Sequence, residues 1–289
     1  MSTTNVAAIQ NALFDSEVKH YYAETENLLR MCTTARMGVE GKTYNFRTMG
    51  KILATERTSP SQDVVPQNPA QALVPCTLKD YDVSVFIDAF ANRKVNFDER
   101  REAAYEAAGA INRKFDQIII DAIDAEGSPL TTVAATIGGA ASNLNLAKIL
   151  AAKAAADAAE WPRQDRYWLC HANQINFGVL TDPSITSADY TSLRALDQGK
   201  VGEFLGFKFI PLGDRDEGGL KIATGVRENY VFHKRSVGLA VNVDITSRME
   251  WIPLKKSWMA TSEFASALVV IDPRGLIVVS CDDDADYNG

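Results

Sequence analysis

Three glycines stand close together in DQGKVGEFLGFKF, at Gly199, Gly202 and Gly206. A glycine-rich run cradles phosphate when it opens a helix, because the helix N-terminus supplies unpaired N–H groups and the positive end of a dipole. Here the run leads into FKFIPLGD, where Phe207 and Phe209 alternate with Lys208, so a strand follows. The spacing matches neither the dinucleotide fingerprint nor the P-loop, which ends in Gly-Lys-Ser/Thr; Gly199-Lys200 is followed by Val201. The glycines read as turns and points of tight backbone approach.

The other residues able to do chemistry are scattered. His171 adjoins Cys170, but neighbours on a strand point to opposite faces and cannot share a metal. His20 and His233 have no partners at ligand spacing. No serine occupies a G-x-S-x-G elbow. Asp116 and Asp121 share a helix but, five residues apart, face different ways, so exposed ion pairing is expected of them. Cys32, Cys76, Cys170 and Cys281 form no C-x-x-C pair and read as reduced thiols of a cytosolic chain. No catalytic constellation, metal site or cofactor site is expected.

The elements that would position a site are more informative. The 289 residues, 46% hydrophobic and 23% charged, can bury a sizeable core in one large domain or two smaller ones. No apolar run is long enough to span a bilayer, and the N-terminus lacks the features of a signal peptide, so a chain made in the cytoplasm is expected. The net charge of −7 argues against a dedicated nucleic-acid binder, though it suits a wall along which DNA must slide.

Asn5 to Arg30 reads as a weakly helical arm that packs on something else. Tyr44 and Phe46 alternate with polar residues, as in a strand. Pro60, Pro66, Pro69 and Pro75 then exclude a helix and a central strand. TLKDYDVSVFIDAFA is expected as the returning strand of a ribbon with a long proline-rich tip. Such a ribbon is marginal alone, and the cheapest partner is another copy of the chain.

A helical stripe including Tyr105, Ile111, Phe115, Ile119 and Ile123 predicts a helix from about Phe97 to Glu126, capped by Asn96 and stopped by Gly127 and Pro129. At about 45 Å it would make a spine. LTTVAATIGGAASNL reads as a flexible domain crossing, LNLAKILAAKAAADAAEWP as an alanine-rich helix and DRYWLCHA as a buried strand. SVGLAVNVDI alternates, with Val237, Leu239, Val241, Val243 and Ile245 on one face. ALVVIDPRGLIVVS reads as a hairpin turning at Asp272 to Gly275, and DDDAD as a solvated acidic tail.

An extended arm, a proline-tipped ribbon and a spine helix without an active site suit a self-assembling shell subunit. At this point the chain resembles the tailed-phage major capsid proteins of the Hong Kong 97-type fold, an α+β architecture. The resemblance lies in VFIDAFANRKVNFDERREAAYEAAGAINRKFDQIIIDAI, in EWPRQDRYWLCHANQINFGVLTD followed by ADYTSLRALDQGKVGEFLGFKFIPLG, and in VFHKRSVGLAV and ALVVIDPRGLIVVS. It implies an N-terminal arm over residues 1–41 and an extended loop over 42–82. It also implies a peripheral domain over 83–130 and 225–289, and an axial domain over 131–224.

The resemblance further implies that Tyr44, Phe46, Arg57, Pro60 and Pro66 of the loop meet an adjacent subunit, and that Gly199, Gly202 and Gly206 form turns of the axial domain. The implied function is a virion shell of hexamers and pentamers around double-stranded DNA held without sequence-specific contacts. The implied partners are further copies of the chain, a portal and, as a further option, a decoration protein. Some members carry an N-terminal scaffolding segment of their own; too little chain precedes the loop here, so a separate scaffolding protein, or none, is expected. The type member also crosslinks a lysine to an asparagine. Lys42 and Lys51 lie in or near the loop, but no motif marks the partner asparagine, and no crosslink is expected. An encapsulin-like compartment would share the fold and is the alternative.

Overall fold

The computed structural model describes residues 27–60, 62–89, 99–137, 140–182, 202–213 and 219–286. Most of the proposed arm, the Asn96 cap and Gly199 lie outside these residues. The described chain divides into two compact units. One takes in Tyr81–Arg113 and Ile245–Phe264; the other takes in Asn27–Asp80, Lys114–Asp244 and Ala265–Gly289.

The larger unit is built on a mixed sheet. Its strands are β5 (Thr131–Val133), β6 (Arg166–His171), β7 (Glu203–Phe204), β8 (Phe207–Leu212), β9 (Ile222–Ala223), β10 (Val226–His233) and β13 (Leu276–Asp282). Their order is β5-β13-β10-β6-β8-β7, with β9 beside β10. Strand β6 is buried at all six positions, the apolar run Tyr167–Cys170 at its centre being what a central strand requires. In register, Val231 meets Trp168, which meets Phe209. The Trp168 ring stacks on Phe209 at 5.3 Å and meets Phe207 edge-on at 5.4 Å.

The alanine-rich helix α2 (Leu146–Ala158) supplies Ile149, Ala152 and Ala156 to the same core cluster. Asn145 caps it, accepting from the Lys148 N–H at 3.0 Å. At its other end the buried Arg166 guanidinium donates to the carbonyls of Trp161 at 2.7 Å and Pro162 at 2.8 Å, and to Asp157 at 2.8 Å. That places a cation just past the helix C-terminus, where the dipole favours positive charge.

The described residues of the segment expected as a flexible crossing join this core instead. Strand β5 pairs in parallel with β13, and Ser142, Asn143, Leu144 and Asn145 are all buried. The expected hairpin is not one either. Strand β12 (Ser257–Val270) belongs to a different sheet from β13, and the chain passes between sheets at Asp272–Gly275. The turn chemistry was read correctly: the Asp272 side chain accepts from the Arg274 N–H and Pro273 opens the turn. Local chemistry fixes a turn, but it does not fix which edges the flanking strands find. Gly275 is needed there, because a Cβ would lie 2.3 Å from Ser236 Cβ.

Strand β11 (Val237–Ile252) departs from simple alternation. Val237 to Val241 are buried on both faces, whereas Val243 is exposed. Strand β1 (Thr34–Met37) pairs in parallel with its start, Thr34 meeting Gly238. In the smaller unit the neighbours run β11, β12 and β4 (Lys79–Asp88). Tyr81 of β4 stacks on Phe264 at 5.1 Å.

Helix α1 (Glu99–Asp124) begins in the smaller unit and ends in the larger. Ala107, Ile111, Phe115, Ile119 and Ile123 are buried at the predicted helical spacing, while Tyr105 is exposed. Asp116 contradicts its expected exposed ion pairing. It is fully buried, and its two oxygens accept the backbone N–H groups of Leu28 at 3.1 Å and Leu29 at 3.2 Å.

Candidate assembly surface

A two-stranded antiparallel ribbon leaves the larger unit, formed by β2 (Thr43–Met49) and β3 (Gln71–Thr77) in the register Thr43↔Thr77 to Met49↔Gln71. The returning strand is QALVPCT, not the TLKDYDVSVFIDAFA segment, which enters β4. Pro75 is tolerated within β3 because a strand in a two-stranded ribbon has one free edge, where a missing N–H breaks no ladder.

The base of the ribbon is committed to its own chain. Phe46 is buried with Val39, Cys76, Ala240 and Ala267. Gly238 makes room for its ring, since a Cβ there would lie 2.7 Å from Phe46 Cζ. Tyr44 is half-buried, its ring 4.9 Å from that of Phe46. Of the five residues expected at a subunit interface, Phe46 is therefore corrected: alternation turns it inward, where it has little surface left to offer.

The last rung is the Gly50 N–H donating to Ala70 O at 2.7 Å. Beyond it the chain runs out without strand pairing. Arg57, Pro60 and Pro66 are exposed there, as are Ile52, Leu53, Val64 and Val65, the last two at 85% and 72%. Arg57 holds the turn by donating from Nε to Ser59 O at 3.2 Å and from Nη2 to Pro60 O. At the root, Lys51 pairs with Glu160 at 2.7 Å, and this hydrogen bond holds the Glu160 carboxyl below the usual carboxylate range. Several apolar side chains thus stand exposed together on this segment, more than a scatter of single surface residues.

The smaller unit carries a second such surface at the end of the β11–β12 arms. Leu254 is 98% exposed at the turn. Trp251 and Trp258 pair at 5.3 Å beneath it, with the Arg100 guanidinium 5.6 Å from the Trp258 ring and the Lys255 ammonium 3.8 Å from that of Phe86. The sequence reading missed this cluster. Its signal was a tryptophan on either side of PLKK.

The glycine run holds no ligand cradle within the described residues. β7 and β8 form a hairpin turning at Leu205 and Gly206, with φ values of 51° and 84°. Two successive positive φ values fit the tight turn that matches strand twist. A Cβ on Gly206 would meet nothing within 4 Å, so the glycine serves φ, and Gly202 O accepts from the Phe209 N–H at 3.1 Å.

The remaining candidates for chemistry are structural. All four cysteines are free and buried. Burial pushes the thiols of Cys32 and Cys281 up to about 12 and Cys76 to about 11, and raises Cys170 as well, so none is a ready thiolate nucleophile. His171 accepts the Asn173 N–H on Nδ1 at 3.2 Å. Among the described residues no three histidine, cysteine or acidic side chains gather at metal-binding distance, and no helix is long and apolar enough to cross a membrane.

These features define a structural subunit with outstretched apolar surfaces, and the comparisons agree. The profile of the family described as phage capsid protein matches residues 6–283, so the chain belongs to that family. Solved structures show the same fold. The capsid of cyanophage P-SCSP1u is similar at a TM-score of 0.74 with 15% identity, covering 96% of this chain and 94% of that one. The acid-stable capsid of Helicobacter pylori bacteriophage KHP30 also reaches 0.74, with 10% identity and coverage of 98% and 99%. The Mycobacterium phage Che8 structure reaches 0.73, with 14% identity and coverage of 96% and 98%. None of the curated proteins compared with the chain matches it. The fold is the Hong Kong 97-type fold of tailed-phage capsids, and the protein is a major capsid protein located in the virion shell.

Proposed function

We propose that the chain closes into hexamers and pentamers, and these into an icosahedral shell around packaged double-stranded DNA, assembling in the host cytoplasm. The single observation that supports this most directly is the ribbon, whose base is anchored by Phe46 while its tip exposes Val64 and Val65. In this reading residues 1–41 are the arm and 42–82 the loop laid over a neighbour. Residues 83–130 and 225–289 form the peripheral domain, and 131–224 form the axial domain at the capsomer centre. Tyr44, Arg57, Pro60 and Pro66 contact the neighbouring copy. Each contact is modest, but many engage at once, and closed symmetry leaves no free edge.

A net charge of −7 lets the shell confine DNA without binding its sequence. A separate scaffolding protein sets curvature and a portal takes one vertex. The test is deletion of residues 58–71 followed by negative-stain microscopy. The expected product is soluble protein that builds no shells; normal shells would overturn the role given to the loop.

A further inference from the structure

Buried polar groups gather inside the larger unit, around the first turn of α2 and the end of β13. Lys148 is fully buried, and its ammonium has one hydrogen-bond partner among the described residues, the carbonyl of Ser142. That carbonyl also accepts the Asp282 N–H at 3.0 Å. One residue earlier, Cys281 Sγ accepts from Asn229 Nδ2 at 3.3 Å. Asn229 is fully buried and its Oδ1 has no partner; Asn143, beside Ser142, is fully buried and its Nδ2 has none. The adjoining core is apolar, including Ile149, Val231 and Val279.

Donors and acceptors therefore do not balance. Two N–H groups of Lys148 and the Asn143 amide need acceptors, while Asn229 Oδ1 needs a donor. A buried polar group left unpaired is costly, and more so when charged, so native proteins fill such places. With Asn229 Nδ2 turned to Cys281 Sγ, Oδ1 is the atom that needs a donor. An anion without a proton of its own could accept from Lys148 and Asn143 but could not donate to Asn229. A water molecule does both.

We infer that this cluster holds ordered internal water, bridging Lys148 Nζ and the Asn229 side chain and tying α2 to the C-terminal strand. The water allows a lysine to sit fully buried with a carbonyl, and no carboxylate, as its hydrogen-bond partner among the described residues, in the manner of buried waters that hold about three hydrogen bonds each.

The test is a map of the full-length protein at about the 2 Å needed to see ordered water, together with a double-mutant cycle on Lys148→Met and Asn229→Leu. The expected map shows a spherical peak within hydrogen-bonding distance of Lys148 Nζ and Asn229. Direct contact between the two side chains, no peak beside them, or a peak with the scattering of an anion would overturn the inference. In the cycle each single variant should lower the thermal midpoint by roughly 2–4 °C. The double variant should lose less than the sum, because it removes both groups that the water serves. Additive losses would sink the bridge.

Discussion

Oδ1 of Asp116 lies 3.2 Å from the backbone nitrogen of Leu29, and its Oδ2 lies 3.1 Å from that of Leu28. One buried carboxylate on the spine helix thus receives the peptide N–H groups of two successive residues, Leu28 and Leu29. Just after them Arg30 reaches Asp244 at 2.8 Å and lies 5.6 Å from the Phe115 ring, while Leu29 and Cys32 are fully buried. Residues 27–33 are held as part of the larger unit.

Replacing Asp116 by alanine takes this acceptor from the buried Leu29 N–H and the half-buried Leu28 N–H. The expected loss is roughly 1–3 kcal/mol for the buried group and less for the half-buried one. Denaturant unfolding of the unassembled protein measures it. Limited proteolysis should also cut near residue 30 in the variant and spare that site in the parent; equal stability and equal cleavage would remove the anchoring role.

Asp283, expected in a solvated tail, instead takes Arg227 Nη2 at 2.9 Å and Gln174 Nε2 at 2.9 Å, with the ion pair's side chains only 5% and 9% exposed. Asp283→Ala strands a buried guanidinium and should cost about 3–5 kcal/mol. The double variant Asp283→Ala, Arg227→Met should recover much of that. Calorimetry on the three proteins decides, and a double variant as unstable as the single would contradict the pairing.

Gly178 and Gly206 should respond to alanine for different reasons. A Cβ on Gly178 would lie 2.4 Å from the Leu144 carbonyl oxygen, a backbone atom that cannot step aside, so roughly 1–3 kcal/mol or more is expected. Gly206 has open space but a φ of 84°, so about 1–2 kcal/mol is expected from backbone strain alone. Replacing Gly206 by asparagine should cost less than replacing it by alanine, whereas asparagine at Gly178 should cost more. Thermal midpoints of the four variants provide the comparison.

His233 carries the acid sensitivity. Its Nδ1 accepts the Arg235 N–H at 3.1 Å, and burial lowers its pKa from the ordinary 6.5. The folded chain therefore resists a proton that the unfolded chain takes up. The stabilising contribution is present in full above pH 6.5 and fades as pH falls below it. Denaturation midpoints should drop between pH 7 and pH 5.5, and His233→Asn, which keeps a capping acceptor without titrating, should flatten the drop. An unchanged slope in that variant would rule the histidine out.

Boiled mature particles should run as single chains on a denaturing gel. Lys51 forms an exposed ion pair with Glu160, and no sequence motif marks an asparagine partner for it. A ladder of covalent multimers would show a crosslink.

Some elements were legible because their information is local. The alanine-rich helix, the buried strand Arg166–His171, the strand after the glycine run and the ribbon's first strand each declare themselves within a dozen residues, through periodicity, capping or apolar runs. The order of these pieces was enough to suggest the capsid fold. The two tryptophans of the smaller unit were equally visible, but nothing local says that a pair at 5.3 Å will flank an exposed turn.

By itself, then, the sequence determined the helices, the central strands and the turn chemistry, since each depends on neighbours a few residues away. Only the tertiary structure decided which edges the strands after Ala267 and Gly275 join, that Phe46 turns inward, and that Asp116 and Asp283 are buried. Those outcomes depend on partners 88 and 56 residues distant for the two acids. An acid on a helix looks the same in sequence whether water or a distant peptide N–H receives it, because only the closed chain determines which of the two it meets.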